Sequence, residues 1–134
     1  MNETPAEQRS RIMRAVKGRD TAPEMLVRHL AYGMGYRYRL YRTDLPGKPD
    51  LTFPGRRKVV FVHGCFWHGH DCARGARRPK RNAEYWANKI ARNRIRDKAS
   101  LMALRTLGWK ALVIWECELL ELARVKRRLS RFLG

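Results

Sequence analysis

The rarest side chains of this chain are crowded into one short segment. Three of its four histidines lie between positions 63 and 70, and two of its three cysteines lie at positions 65 and 72. Cys65, His70 and Cys72 offer three soft ligands, and Cys117 offers a fourth. A Cys3His set suits a closed, tetrahedral, structural zinc ion. The alternative interpretation is that these residues are ordinary buried cysteines and a surface histidine.

Two histidines of this segment, His63 and His68, are left without a role in that zinc site. Histidine is the side chain best matched to proton transfer near neutral pH. Asp50 follows a proline-rich turn and opens a predicted strand. In a chain with few acidic residues, an aspartate at a strand edge that faces a histidine loop is a candidate Mg²⁺ ligand. The plainer alternatives are two structural histidines and a turn aspartate.

Two further acidic residues allow both a structural and a functional interpretation. Glu24 is the last residue of a capping box that begins at Thr21, which by itself explains its presence. Asp97 lies in a predicted helix beside Arg94 and Arg96. A surface ion pair is the default interpretation for Asp97, and orientation of a histidine is the alternative.

The charge of the chain indicates a polyanionic partner. Its 134 residues carry 30 Lys and Arg against 12 Asp and Glu, a formal net charge of +18. Ten basic residues and two acidic ones lie between Arg74 and Lys98, so phosphate contact is favoured over a solvated face. Phe66 and Trp67 in the histidine loop could cover a core edge or separate stacked bases. The apolar content of 44% excludes a disordered chain, and no apolar run reaches the roughly 18 residues that span a bilayer.

The elements that must position these residues alternate in type along a single predicted domain, residues 1–134. Hydrophobic spacing and turn signals predict eight elements in the order α-α-β-β-β-α-β-α, which is a mixed α/β fold with one sheet between helices. The predicted helices cover 8–17, 23 to about 33–35, a long segment from an Asn82 cap to Gly108, and 118–133. The predicted strands cover 36–41, 50–53, 58–62 and 109–115.

Four sequence strings resemble the very-short-patch mismatch repair endonucleases, a family of bacterial enzymes that nick DNA beside a T·G mismatch. The strings are RAVKGRDTAPE, LPGKPD, FVHGCFWHGHDC and GWKALVIWEC, and the resemblance runs from about Arg11 to Cys117. It implies a restriction-endonuclease-like fold of the PD-(D/E)xK superfamily. The acid-x-lysine element of that superfamily is replaced here by Phe61-Val62-His63.

The resemblance also implies roles for the candidate site residues. Asp50 and the backbone carbonyl of Val62 would bind catalytic Mg²⁺, and His68 would be the general base. His63 would be the second catalytic histidine. Asp97 would orient His68, and Glu24 would belong to the outer active site. Structural Zn²⁺ would be bound by Cys65, His70, Cys72 and Cys117. The residues assigned to DNA contact are Phe66, Trp67, Trp86, Met13 and Arg14.

The partner implied by the resemblance is double-stranded DNA with a T·G mismatch, bound by a monomer in the bacterial cytoplasm. Residues 1–20 form a basic, helical segment that is expected to touch the DNA. Whether the mismatch-repair protein MutL is recruited stays open. Two alternatives to this function are retained. One is a restriction or host-defence nuclease of the same fold that cuts matched DNA, and the other is a zinc-stabilised DNA-binding module without catalysis.

Overall fold

The helices and strands follow the order expected from the sequence, with one strand missing. The computed structural model describes residues 20–72 and 80–134, so the helix predicted at 8–17 lies outside the described residues. The helices are α1 (Ala22–Gly33), α2 (Ala83–Thr106) and α3 (Leu122–Leu133), and the strands are β1 (Leu51–Phe53), β2 (Lys58–His63) and β3 (Lys110–Trp115). Two short 3₁₀ helices, Pro54–Arg56 and Glu116–Leu120, follow β1 and β3.

The described strands form one mixed sheet in the order β1-β2-β3. β1 runs antiparallel to β2, with Leu51 opposite Val60, and β2 runs parallel to β3, with His63 opposite Trp115. One end of the sheet therefore brings together the carboxyl ends of β2 and β3 and the start of β1. The prediction of a mixed α/β fold with a single mixed sheet flanked by helices is confirmed.

Two hydrophobic cores cover the two faces of this sheet. Because side chains alternate along a strand, Val60 and Val62 of β2 face one side while Val59 and Phe61 face the other. The first side packs against α1 and α3, through residues that include Val27, Ala31, Val125, Leu129 and Leu133. The second side packs against α2 through Leu104 and the partly buried Leu101. The sheet is thus held rigidly between helices, which fixes the positions of its edge residues.

The prediction of a strand at residues 36–41 is wrong. In its place, Arg39 forms a single antiparallel bridge with Thr52 of β1, through Arg39 N–H to Thr52 O at 2.8 Å and Thr52 N–H to Arg39 O at 3.0 Å. Tyr41 has a φ of 58°, a left-handed conformation that ends any extended run. The alternation of aromatic and basic residues over 36–41 therefore gives one β-bridge and no strand.

The structure corrects three smaller expectations about how the helices begin. The closing helix begins at Leu122 rather than Glu118, because Glu118 lies in the preceding 3₁₀ helix and its carboxylate accepts a hydrogen bond from Trp115 N–H at 3.0 Å. Asn82 stands at the N-cap of α2 in a left-handed conformation, and its side chain makes no cap hydrogen bond. The Thr21 hydroxyl caps α1 by accepting from Glu24 N–H, while the Glu24 carboxylate accepts from Asp20 N–H at 2.8 Å rather than from Thr21. Across the described ranges, no helix is both long and apolar enough to cross a membrane.

Candidate active site

Asp50 lies immediately before β1, against the carboxyl-terminal half of β2. Its Oδ2 accepts a hydrogen bond from the Val62 backbone N–H at 2.6 Å, which fixes the carboxylate at the sheet edge. Burial and, to a smaller extent, the neighbouring Glu24 carboxyl raise the pKa of Asp50 to about 7, against the opposing effects of the Val62 N–H and the charge of Arg28. A carboxylate that is costly to ionise beside a second carboxyl group is suited to binding a cation.

The first turn of α1 brings the second carboxyl group to Asp50. Glu24 is buried, and its Oε2 lies 3.5 Å from the guanidinium of Arg28, one helical turn further on. Arg28 is also buried and contacts Asp20 Oδ1 at 2.7 Å, while its Nε has no hydrogen-bond partner within the described structure. Arg28 therefore holds the acidic groups at the start of α1 and balances part of their charge. The sequence analysis did not single out Arg28, although its i, i+4 spacing from Glu24 was a signal.

His68 and Asp97 form a hydrogen-bonded pair at the other side of the cleft. His68 Nδ1 lies 2.5 Å from Asp97 Oδ2, so the histidine-orienting interpretation of Asp97 agrees with the geometry better than an ion pair with Arg94 or Arg96. Because Nδ1 faces the carboxylate, the remaining ring nitrogen, Nε2, is the one that can accept a proton from a water.

His63, the last residue of β2, stacks directly on His68. The two imidazole centroids lie 3.8 Å apart with nearly parallel planes, and the buried Nδ1 of His63 has no partner among the described residues. Burial and the charge of His68 lower the pKa of His63 to about 4, which keeps it neutral at physiological pH. The donor atoms of His63, His68 and Asp97 all lie within 4.8 Å of one another, so this group acts as one unit.

The four residues of the predicted zinc site are brought together from two distant parts of the chain. The ligand atoms of Cys65, His70, Cys72 and Cys117 lie within 4.8 Å of one another, and Cys117 Sγ is 3.5 Å from His70 Nδ1. Zn–S bonds of about 2.3 Å and Zn–N bonds of about 2.0–2.1 Å give tetrahedral edges of about 3.5–3.8 Å, so the donor set fits zinc. Burial and the neighbouring thiols raise the pKa of Cys65 to about 12. Ionised thiols at such a place require a cation, which a metal supplies.

Gly69 lets the loop that carries these residues lie flat on α2. It has a φ of 62°, and a Cβ at this position would come within 2.6 Å of Ile90 Cγ2 and 2.9 Å of Arg94 Cδ. Any larger residue would therefore be strained and would push the loop away from the helix. Gly69 thus fixes His68 against Asp97 on one side and His70 in the metal cluster on the other.

The aromatic residues proposed to contact DNA form a cluster that belongs to neither core. Phe66, Trp67 and Trp86 are mutual neighbours, with ring centroids 5.1 to 5.6 Å apart, and each is half-buried. Lys89 lies over the rings of Trp67 and Trp86 at 5.6 and 6.0 Å, and Asn93 Nδ2 donates to the Trp67 carbonyl at 2.8 Å. The three rings are therefore partly accessible and do not serve to cover either core.

One cleft of about 980 Å³ joins Asp50, the His68–Asp97 pair and two members of the aromatic cluster, Phe66 and Trp67. The wall that α2 contributes includes a row of polar side chains at helical spacing, of which the sequence analysis singled out only Asp97. The members of this row that line the cleft are Lys89, Asn93, Asp97 and Ser100. The cysteines are not part of the lining. The assigned DNA-contact residues Met13 and Arg14 lie outside the described residues.

Comparison with known proteins points in one direction. The sequence model of the family described as DNA mismatch endonuclease Vsr matches residues 2–74. The type II nicking enzyme V.XorIIP of Xanthomonas oryzae pv. oryzae is 49% identical over 95% of this chain and 93% of its own length. The DNA mismatch endonuclease Vsr of Escherichia coli K12 is 42% identical over 83% of this chain and 70% of its own. The type II nicking enzyme V.NmeAIP of Neisseria meningitidis is 42% identical over 92% and 87%.

Proposed function

Because the chain belongs to the DNA mismatch endonuclease Vsr family and is a DNA endonuclease, we propose that it nicks one strand of duplex DNA beside a T·G mismatch. The cut is a magnesium-dependent hydrolysis of a phosphodiester bond that initiates very short patch repair. The substrate is double-stranded DNA in the bacterial cytoplasm, bound by a monomer. The observation that carries the proposal is the meeting of Asp50, the His68–Asp97 pair and the half-buried rings of Phe66 and Trp67 in one cleft.

The acidic half of the cleft supplies the ligands of the catalytic metal. Asp50, together with the Val62 backbone carbonyl, would hold Mg²⁺, and Glu24 would contribute its carboxylate at the outer edge. When bound, Mg²⁺ stabilises negative charge on the scissile phosphate and on the leaving oxygen. The support for this assignment is that burial, and then the neighbouring Glu24 carboxyl, raise the pKa of Asp50, so a bound cation would stabilise its ionised form.

The histidine half of the cleft moves the proton. Asp97 accepts the Nδ1–H of His68 and so holds the ring with Nε2 facing the attacking water. His68 then takes a proton from that water. His63 stacks on His68 as a neutral ring and fixes its plane, without competing for the proton. This division of roles assigns His68 as the base and His63 as a supporting residue.

The aromatic cluster selects the mismatch. Phe66, Trp67 and Trp86 separate the base pairs next to the T·G pair, which costs less to unstack than a matched pair. Met13 and Arg14 add contacts to the DNA, and the basic residues near α2 neutralise phosphates. Zinc at Cys65, His70, Cys72 and Cys117 is structural, since four protein ligands leave no open position.

A strand-resolved nicking assay with Mg²⁺ tests this function. Otherwise identical duplexes would carry T·G, T·A, C·A or G·G at one position. We expect a nick on the thymine strand of the T·G duplex and little cutting of the others. Equal cutting of T·G and T·A duplexes would instead support a nuclease of matched DNA, a candidate favoured by the type II nicking enzymes among the relatives. Binding without any cutting would support the non-catalytic DNA-binding module.

A further inference from the structure

A second groove lies along β3 and α3. It has a volume of about 600 Å³, and its lining residues are Leu112, Arg124, Arg127, Arg128, Arg131 and Phe132. None of these residues lines the cleft that contains Asp50. β3 is at the opposite edge of the sheet from β1, so the groove and the cleft are separate places on the molecule.

The groove carries positive charge that its surroundings leave uncompensated. α3 contains five basic residues and no acidic residue. Glu118 pairs with Arg128 at 2.5 Å and approaches Arg124 at 3.9 Å. Within residues 20–72 and 80–134, neither Arg127 nor Arg131 has an ion-pair partner, and the two lie one helical turn apart on an exposed surface. Like charges at this spacing repel each other, so an anionic group placed between them would be stabilised.

The groove also offers what an extended polypeptide requires. Among the described strands β3 pairs with β2 alone, so its outer edge presents main-chain N–H and C=O groups to a further strand. Leu112 in the middle of β3 and Phe132 at the end of α3 are half-buried and form an apolar floor. A DNA backbone would use the arginines, but it has no use for the strand edge or the apolar floor.

We propose that this groove binds an acidic, extended segment of a partner protein, which adds to the sheet as a strand beside β3. Its main chain pairs with the outer edge of β3, as in other cases of strand addition. Its carboxylates contact Arg127 and Arg131, and an apolar side chain two residues from a carboxylate, on the same face of the strand, packs on Leu112 and Phe132. Because the groove shares no lining residue with the cleft, the partner protein could bind there while the cleft holds DNA.

The test uses a fluorescein-labelled peptide of the sequence Glu-Thr-Val-Thr-Glu-Thr-Val-Thr, in which Glu and Val share one face of an extended strand. Binding is followed by fluorescence anisotropy at physiological salt. The full chain carrying Arg127→Glu with Arg131→Glu is compared with a control carrying Arg39→Glu with Arg105→Glu. The control makes the same change in net charge at exposed positions away from the groove. We expect the groove pair to weaken peptide binding by at least about tenfold and the control pair by less than about twofold. A peptide with alternate N-methylated amides is expected to lose binding to the same extent as the groove pair.

Three outcomes would overturn the proposal. Equal weakening by the two variants would mean that net charge alone attracts the peptide. Undiminished binding of the N-methylated peptide would mean that no strand is added. A larger loss of duplex binding and nicking in the groove variant than in the control would mean that the groove contacts DNA. Nicking of the T·G duplex by the unmodified chain is measured in parallel, so a failure of the proposed enzymatic function is recognised separately.

Discussion

Two clusters of polar side chains alternate along the same loop, and they differ in access and in donor type. Cys65, His70 and Cys72 point their donors at one another and at Cys117, away from the cleft. His63 and His68 lie between and beside those ligands in sequence, but face the cleft. Soft donors that close on each other suit a structural metal, whereas nitrogen and oxygen donors beside an open cleft suit proton transfer. One short segment therefore both fastens the loop and carries the chemistry.

Breaking the closed cluster is expected to have the largest effect. Cys117→Ala should lose zinc, folded stability and nicking together, because apparent zinc-binding energies of about 10–16 kcal/mol are as large as the stability of a typical domain. Metal analysis and thermal unfolding measure the first two effects. Asp71→Asn is the matched control, since this exposed loop residue is not a ligand. A Cys117→Ala protein with full zinc content would show that the cluster is not a metal site.

Breaking the open cleft at its acidic end should abolish activity and leave the fold intact. Asp50→Asn removes the metal-binding charge, and several kcal/mol of lost transition-state stabilisation correspond to a decrease on the order of 10³-fold or more. Single-turnover nicking of the T·G duplex measures it, with Asp44→Asn as the control. Zinc content should match the unmodified chain, and the variant should remain folded. Near-normal nicking by Asp50→Asn would remove Asp50 from the metal site.

The division of the histidines between the two clusters is tested by His68→Ala. Loss of a general base should lower the rate of nicking by on the order of 10²-fold, with zinc retained. Asp97→Asn should give a smaller decrease, because the ring stays in place but loses its orienting carboxylate. If His68→Ala loses zinc as well as activity, His68 is a ligand, His70 is spare, and the assignment of the two residues is reversed.

Trp67 lies in sequence between Cys65 of the closed cluster and His68 of the open cleft, and its substitution should affect recognition alone. Trp67→Ala should reduce nicking of the T·G duplex by roughly tenfold, within the 1–3 kcal/mol attributed to stacking of one base on an aromatic ring. Binding to matched DNA should change little, since lysine and arginine carry it. Tyr32→Ala, an exposed aromatic on α1, serves as the control. Equal losses of nicking and of matched-DNA binding would make Trp67 a packing residue.

A pH measurement sharpens the comparison within the cleft itself. Asp50 has a pKa raised to about 7, so in magnesium-free buffer its contribution to stability falls as pH rises from about 4 to about 7. His63, with a pKa lowered to about 4, acts oppositely, and its contribution is lost as pH falls from about 6.5 to about 4. Asp50→Asn removes only the first effect. Chemical denaturation should therefore find this variant increasingly more stable than the unmodified chain between pH 4 and 7, and a constant difference would contradict the assignment.

The sequence allowed the soft ligands and the acidic groups to be predicted because residue type and spacing carry that information. Cys117 is 45 residues beyond Cys72, yet three cysteines and a histidine have few other roles in such a chain. Asp97 could not be separated from a surface ion pair by spacing, because its contact with His68 depends on how the loop packs on α2. The burial of Arg28, despite its i, i+4 spacing from Glu24, and the turn at Tyr41 were not predicted either. The buried environment of one and the left-handed backbone of the other are set by tertiary contacts.

Gly69 has a practical consequence for anyone who wishes to alter what this enzyme recognises. The neighbouring Phe66 and Trp67 can be varied in a mutant library, since they lie outside both cores. Position 69 must be kept constant, because a side chain there meets Ile90 and Arg94 and displaces the loop as a whole. Substitutions at positions 66 and 67 would change the specificity of the enzyme. Substitutions at position 69 would give inactive protein.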